Sequence, residues 1–152
     1  MTLTLAGYID AYGRTQHPSA YGGLVVSDGR AHIAVYLTTL EDVIMNSYNS
    51  LASEGTLRFV PTPHSLQFLL ALQQRVSSDA PSLRSRGIRI VGSSPRVQTG
   101  MLELTVVDPS AADAAVLNSL FGKNNINISS VGPEGLGGGA MEDLWQLTSS
   151  SP

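Results

Sequence analysis

Between Thr62 and Val76 apolar residues recur near a 3.6-residue period: Leu66, Leu69, Leu70, Leu72 and Val76 fall on one wide face, and Gln67, Gln73, Gln74 and Arg75 take up most of the rest. This spacing predicts a helix that lies on a sheet rather than inside a bundle. Thr62 suits its N-cap and Pro63 its first position, where a missing N–H costs nothing. The helix is expected over residues 62–78, and Ser77 to Gly87, with Ser-Ser-Asp-Ala-Pro and Arg84-Ser85-Arg86, reads as a polar connection with room for another helical turn.

On its N-terminal side the pattern changes to period two. Leu24-Val25-Val26 and the alternating Ile33, Val35 and Leu37 flank Ser27-Asp28-Gly29-Arg30, a β-hairpin with the positive φ angles of its turn supplied by Asp-Gly. Thr38 or Thr39 is then expected to cap a helix with Leu40, Val43, Ile44, Tyr48 and Leu51 as its buried stripe, closed by Gly55. Leu57-Arg58-Phe59-Val60 reads as a short strand stopped by Pro61 and Pro63. On the C-terminal side, Ile88 to Val91 and Leu102 to Val107 read as strands, with Ser93 to Gly100 as the loop between them. Asp108-Pro109 then opens a helix with Ala112, Ala115, Val116 and Leu120 inward, Gly122 closes it, and Ile126-Asn127-Ile128 is a last strand. The order hairpin, helix, strand thus occurs twice.

The predicted fold class is α+β: two ββαβ units, each a small three-stranded antiparallel-type sheet with helices on one face, joined by the central helix. The expected organisation is an N-terminal arm over 1–20, a domain over 21–131 made of subdomains at about 21–61 and 88–131, and a flexible Gly-rich tail over 132–152. In the arm, Tyr8 and Tyr12, with Tyr21, are candidates to pack on the domain. In the tail, Met141 to Leu147 is a candidate amphipathic turn that would dock through Trp145.

Composition narrows the function classes. The chain's 152 residues are enough to bury roughly 70% of the unfolded surface without staples. A net charge of −3, with nine basic residues scattered singly, offers no stripe to neutralise several phosphates, which argues against nucleic acid. No cysteine is present, which removes thiolate metal sites, Fe–S clusters and thiol catalysis but fits a secreted and a cytosolic domain equally. Met1 to Leu5 is too short and polar for a signal-peptide core and no apolar run approaches a membrane span, so the expectation is either a cytosolic chain or one whose leader has been removed.

No motif carries catalysis. Gly135-Leu136-Gly137-Gly138-Gly139-Ala140 matches G-x-G-x-x-A, but only twelve residues follow it, too few for the βαβ unit a dinucleotide site needs. His17, His32 and His64 have no second His at i+3 or i+4. No serine sits in a G-x-S-x-G elbow, although a triad assembled in space leaves no sequence signature, so a hydrolase with such a triad stays open as a third reading. Asp28, Asp108 and Asp113 read as turn and cap residues, and Asn127-Ile128-Ser129 is a formal glycosylation sequon inside a predicted strand. Catalytic, metal and cofactor residues are therefore all assigned as none. Strand edges remain, and strand addition is a physical route by which such small sheets bind partners. Glu103 and Thr105 on one strand, with Asn127 and Ser129 on the last, form a sparsely charged outward row and are the candidate partner-binding residues.

Across residues 21 to 131 this order of features resembles the pro-region of α-lytic-protease-like secreted serine proteases. The resemblance rests on Tyr21-Gly22-Gly23-Leu24 entering a hairpin, on Ile33-Ala34-Val35-Tyr36-Leu37-Thr38, on Leu57-Arg58-Phe59-Val60 leading to the Ser65-Leu66 helix with Leu69, Leu72 and Val76, and on Met101 to Asp108 ahead of the last helix and strand. It implies a non-enzymatic α+β module that assists the folding of a protease and then inhibits it, extending a protease hairpin into a larger sheet and laying its C-terminal tail in the active-site cleft. The implied partner is a secreted serine protease or another extracellular or cell-surface protein, and the implied location is extracellular or at the cell surface. Three features depart from the pattern: Leu24 stands where an aromatic residue is often expected, the end of the chain is Gly-rich, and no protease domain follows within these 152 residues. These departures leave room for a stand-alone relative. The alternative from another class is a cytoplasmic ferredoxin-like or ACT-like regulatory domain that dimerises by edge strands and binds a small ligand.

Overall fold

The computed structural model describes residues 4–27 and 32–132. The Asp28-Gly29 turn, the G-x-G-x-x-A match at 135–140 and the proposed docking turn at Met141–Leu147 lie outside the described residues. Two compact units are present, Met1–Leu70 with Arg96–Gly100 and Ala71–Pro95 with Met101–Pro152.

The first unit opens with α1 (Leu5–Gln16) where an arm was expected. The Thr4 hydroxyl caps it by accepting from the Gly7 N–H at 3.0 Å. Ile9 is buried, with Ala6 and Tyr12 packed against the same core, so the helix is held by a narrow apolar stripe despite its two glycines. Strands β1 (Tyr21–Val26) and β2 (Ile33–Leu37) pair antiparallel, with a bulge between Tyr21 and Gly23. Gly23 takes φ +114° there, which favours glycine. Ile33, Val35 and Leu37 point into the core as their alternation predicts.

Helix α2 (Asp42–Asn49) carries the chain across to β3 (Leu57–Pro61), which runs parallel to β2. The expected antiparallel-type sheet is therefore mixed. The helical crossover carries the chain back to the end of the sheet at which β2 began, so the third strand runs parallel to its neighbour. Neither Thr38 nor Thr39 caps α2. Thr38 is occupied with residues 19–20, its N–H donating to the Ala20 carbonyl and its hydroxyl to that of Ser19. The helix instead starts after Glu41, with no side-chain cap. This later start leaves Leu40 outside the helix and Val43 80% exposed, while Tyr48 is fully buried.

Helix α3 (Leu66–Ser85) is longer than the sequence suggests and runs through Pro81. Pro81 has no N–H for the Ser77 carbonyl one turn back, and both residues lie on the exposed side of the helix. Thr62 does not cap α3. Its N–H donates to the Leu37 carbonyl at 2.9 Å, continuing the β2–β3 ladder, and the Ser65 hydroxyl accepts from the Phe68 N–H at 3.1 Å in its stead. Leu66, Leu69, Leu72 and Val76 are buried, but Leu70 is 37% exposed, outside the face predicted for it.

The second unit repeats the plan. Strands β4 (Ile90–Arg96), β5 (Met101–Val107) and β6 (Ile126–Val131) form a sheet in that order, with β6 parallel to β5 and α4 (Ala111–Phe121) crossing between them. The expected loop at 93–100 contracts to a turn at 97–100 because β4 continues to Arg96. Leu102, Leu104 and Val106 are fully buried. Ser110, not Asp108, caps α4, in a reciprocal box with Asp113. Asp108 takes φ +41°, with its N–H bonded to the Val131 carbonyl at 2.7 Å, so it ends the sheet instead. The helix therefore buries Leu117 and Phe121 rather than the expected Ala112, Ala115, Val116 and Leu120. Arg75 locks its end, donating to the Leu120 carbonyl at 3.0 Å with its guanidinium 5.6 Å from the Phe121 ring centre.

Candidate functional site

The four residues singled out in the sequence meet in two cross-strand pairs. The β5–β6 register sets Glu103 opposite Asn127 and Thr105 opposite Ser129. All four lie on the sheet face opposite Leu102, Leu104 and Val106, since side chains alternate along a strand. Glu103 and Thr105 are half-buried; Asn127 and Ser129 are exposed.

Beside this row lies the edge of the sheet. Among the described residues β6 pairs only with β5. Leu102 N–H bonds to the Asn125 carbonyl and Asp108 N–H to that of Val131, so the odd-numbered residues of β6 direct their backbone to β5. By alternation, Ile126, Ile128 and Ser130 turn their N–H and C=O groups to the open edge. The other edge strands carry protection against pairing: β1 has its bulge, β3 ends in Pro61, and β4 contains Pro95 and ends in Arg96. Strand β6, Ile-Asn-Ile-Ser-Ser-Val, has no proline, charge or bulge.

The first unit holds a second feature that the sequence did not announce. A half-open pocket of about 200 Å3 is lined by Arg14, Pro18, Tyr21, Leu66, Gln67 and Leu70, and its walls are mostly apolar. Two of the lining residues share a partner: the Asp10 carboxylate accepts from the Tyr21 hydroxyl at 2.6 Å and from Arg14 Nε at 2.8 Å. Burial, and then the hydrogen bond to Asp10, raise the Tyr21 hydroxyl far above the ordinary tyrosine range. The exposure of Leu70, anomalous as core packing, is explained by its position on the pocket wall. Residues 14 to 21 and 66 to 70 are too far apart in sequence for any spacing rule to join them.

Next to Tyr21 lies an aromatic cluster. Tyr48 has Tyr12, His17 and Phe59 around it, with ring centres 5.2, 5.4 and 6.2 Å away. The Tyr48 hydroxyl and His17 Nδ1 are buried without a hydrogen-bond partner among the described residues. Burial, and then the nearby Tyr12, raise the Tyr48 hydroxyl well above its usual range. His64 stacks on Phe68 at 4.6 Å. Among the described residues no three His, Asp or Glu side chains come together in a group able to hold a metal ion, and no helix is long and apolar enough to cross a membrane. No protein-family model and no curated protein matches this sequence.

Proposed function

We propose that the chain is a non-enzymatic protein-interaction module of the protease pro-region kind, a folding assistant and inhibitor of a secreted serine protease or a stand-alone extracellular relative, whose partner adds a strand to β6. The observation that carries this reading is the β6 edge, which no described residue pairs with or covers by backbone hydrogen bonds, with the backbone groups of Ile126, Ile128 and Ser130 directed outward. The row of Glu103, Thr105, Asn127 and Ser129 gives the partner short polar side chains to read on the adjoining face. The repeated ββαβ plan agrees with what the resemblance implies.

The register selects the test. Asn127 directs its N–H to β5, so proline there would break the internal ladder; Ser130 directs its N–H outward, and Ser130→Pro removes only an edge donor. The chain is titrated into an α-lytic-type serine protease with a chromogenic peptide substrate. Inhibition by the parent, weakened roughly tenfold or more by Ser130→Pro at an unchanged melting temperature, is the expected result. A parent that neither binds nor inhibits removes the protease as partner, and a variant as potent as the parent removes β6 as the docking edge. The regulatory alternative uses the same edge for self-pairing; a parent that sediments as a dimer and dissociates on Ser130→Pro would favour it.

A further inference from the structure

The pocket in the first unit points to a ligand of definite chemistry. Its walls, with Pro18, Tyr21, Leu66 and Leu70 in the lining, are mostly apolar, and its volume of about 200 Å3 suits one compact apolar group; an engineered cavity of roughly 150 Å3 holds benzene. Its polar groups are the Arg14 guanidinium, which only donates, and the Gln67 carboxamide, which offers an NH2 donor beside its carbonyl. Arg14 is the cation of the lining, and only its Nε is engaged, by Asp10. The terminal amino groups of that guanidinium, and the Gln67 amide, make no hydrogen bond to a described residue. Asp10 is not in the lining. Its two oxygens hold Arg14 and the buried Tyr21 hydroxyl, so the donor fork is oriented before anything binds.

A planar fork with two free N–H-bearing ends matches a carboxylate in two parallel hydrogen bonds. We propose that this pocket binds a carboxylate carrying a compact apolar group, phenyl or branched aliphatic, with the carboxylate on Arg14 and Gln67 and the apolar group between Tyr21, Leu66 and Leu70. Two sources present this chemistry: a free arylalkanoic or branched-chain acid, and the C-terminal Phe or Leu of a peptide.

The test is a titration of the 15N-labelled full chain, followed by amide shifts, with four probes: 3-phenylpropanoate, 3-phenylpropanamide, acetyl-Ala-Ala-Phe with a free C-terminus, and the same peptide amidated. Saturable shifts around Arg14, Tyr21 and Gln67 are expected with at least one of the two acids, with its amide weaker by roughly tenfold, as for the loss of a charge-assisted hydrogen bond. Tighter binding of the peptide acid assigns a protein C-terminus as the source; tighter binding of the free acid assigns a small metabolite. Arg14→Met, at a half-exposed side chain, is expected to bring the acid down to the affinity of its amide without altering the latter. The proposal is overturned if neither acid gives saturable shifts up to roughly 10 mM, if acid and amide bind alike, or if Arg14→Met binds the acid as the parent does. The comparison of acid with amide uses the parent protein, so it decides the matter even if the variant does not fold.

Discussion

Helix propensity and packing make opposite predictions for Gly13→Ala, and the structure supplies the magnitudes that choose between them. Gly13 lies inside α1, where alanine is favoured over glycine by about 1 kcal/mol. A methyl group at that position meets the ring of Tyr21: its carbon would contact Cγ and Cδ1 and lie 2.7 Å from Cε1. Ordinary carbon contacts are about 3.5–4.0 Å, so the ring or the helix must retreat by roughly 1 Å. Tyr21 is 1% exposed and its hydroxyl is tethered to Asp10, three residues before Gly13 on the same helix, so retreat loosens that bond as well. Overpacking of this kind costs about 1–3 kcal/mol, and weakening a hydrogen bond to a charged group adds up to about 1.5–3 more. Less the roughly 1 kcal/mol gained from propensity, these terms leave a net cost of about 0–5 kcal/mol centred near 2–3, so Gly13→Ala should destabilise the protein by about 2–3 kcal/mol, a fall in melting temperature of roughly 4–12 °C. Urea and thermal unfolding followed by circular dichroism measure it. In a Tyr21→Ala background the same substitution has no ring to meet and should become neutral or stabilising by up to about 1 kcal/mol. A Gly13→Ala protein as stable as the parent, or a penalty that persists without the ring, would refute the reasoning.

Two further outcomes follow from burial. Leu69 is fully buried, so Leu69→Asp combines the loss of a core leucine, about 2–5 kcal/mol, with an unpaired carboxylate, and should abolish cooperative unfolding, whereas Leu70→Asp at the more exposed neighbouring position should still melt cooperatively; a soluble, cooperatively melting Leu69→Asp protein would mean that this face of α3 is not buried. Tyr21 and Tyr48 are held neutral in the native state while the unfolded chain ionises them near 10.0, so the native state binds more protons above that pH and stability is lost as pH rises through and beyond 10. The expected slope is about half of 1.4 kcal/mol per pH unit for each tyrosine at pH 10 and approaches about 1.4 by pH 11, Tyr48→Phe should halve the total, and urea unfolding at a series of pH values from 9 to 11 checks it; a flat profile above pH 10 would contradict the burial of both hydroxyls.

Where one face of a segment is buried and the other is not, periodicity alone determined the element. The alternation of Ile33, Val35 and Leu37, and of Leu102, Leu104 and Val106, specified strands and their inward faces, and the spacing of Leu66, Leu69, Leu72 and Val76 specified the central helix and most of its buried side. The order of these segments was enough to give two ββαβ units and to place Glu103, Thr105, Asn127 and Ser129 on an outward row. Helix α1 left a weaker trace, since Ala6, Ile9 and Tyr12 have helical spacing but Gly7 and Gly13 lower the propensity that would make it persuasive.

What the tertiary structure alone decided were the choices among locally equivalent groups. Thr62 and Ser65, or Asp108 and Ser110, are comparable caps in isolation; Thr62 and Asp108 lose the role because β2 and β6 take their N–H groups for the sheet. Whether β6 is an edge depends on strand order, and the direction of the Asn127 and Ser130 N–H groups depends on register; neither is encoded in any short stretch of residues. The pocket joins Arg14 and Tyr21 to Leu66 and Leu70 across more than forty positions in sequence. Periodicity reports which face of an element is apolar but not which other element covers it, so the exposure of Leu70 becomes legible only once the first turn of α3 is packed beside Tyr21.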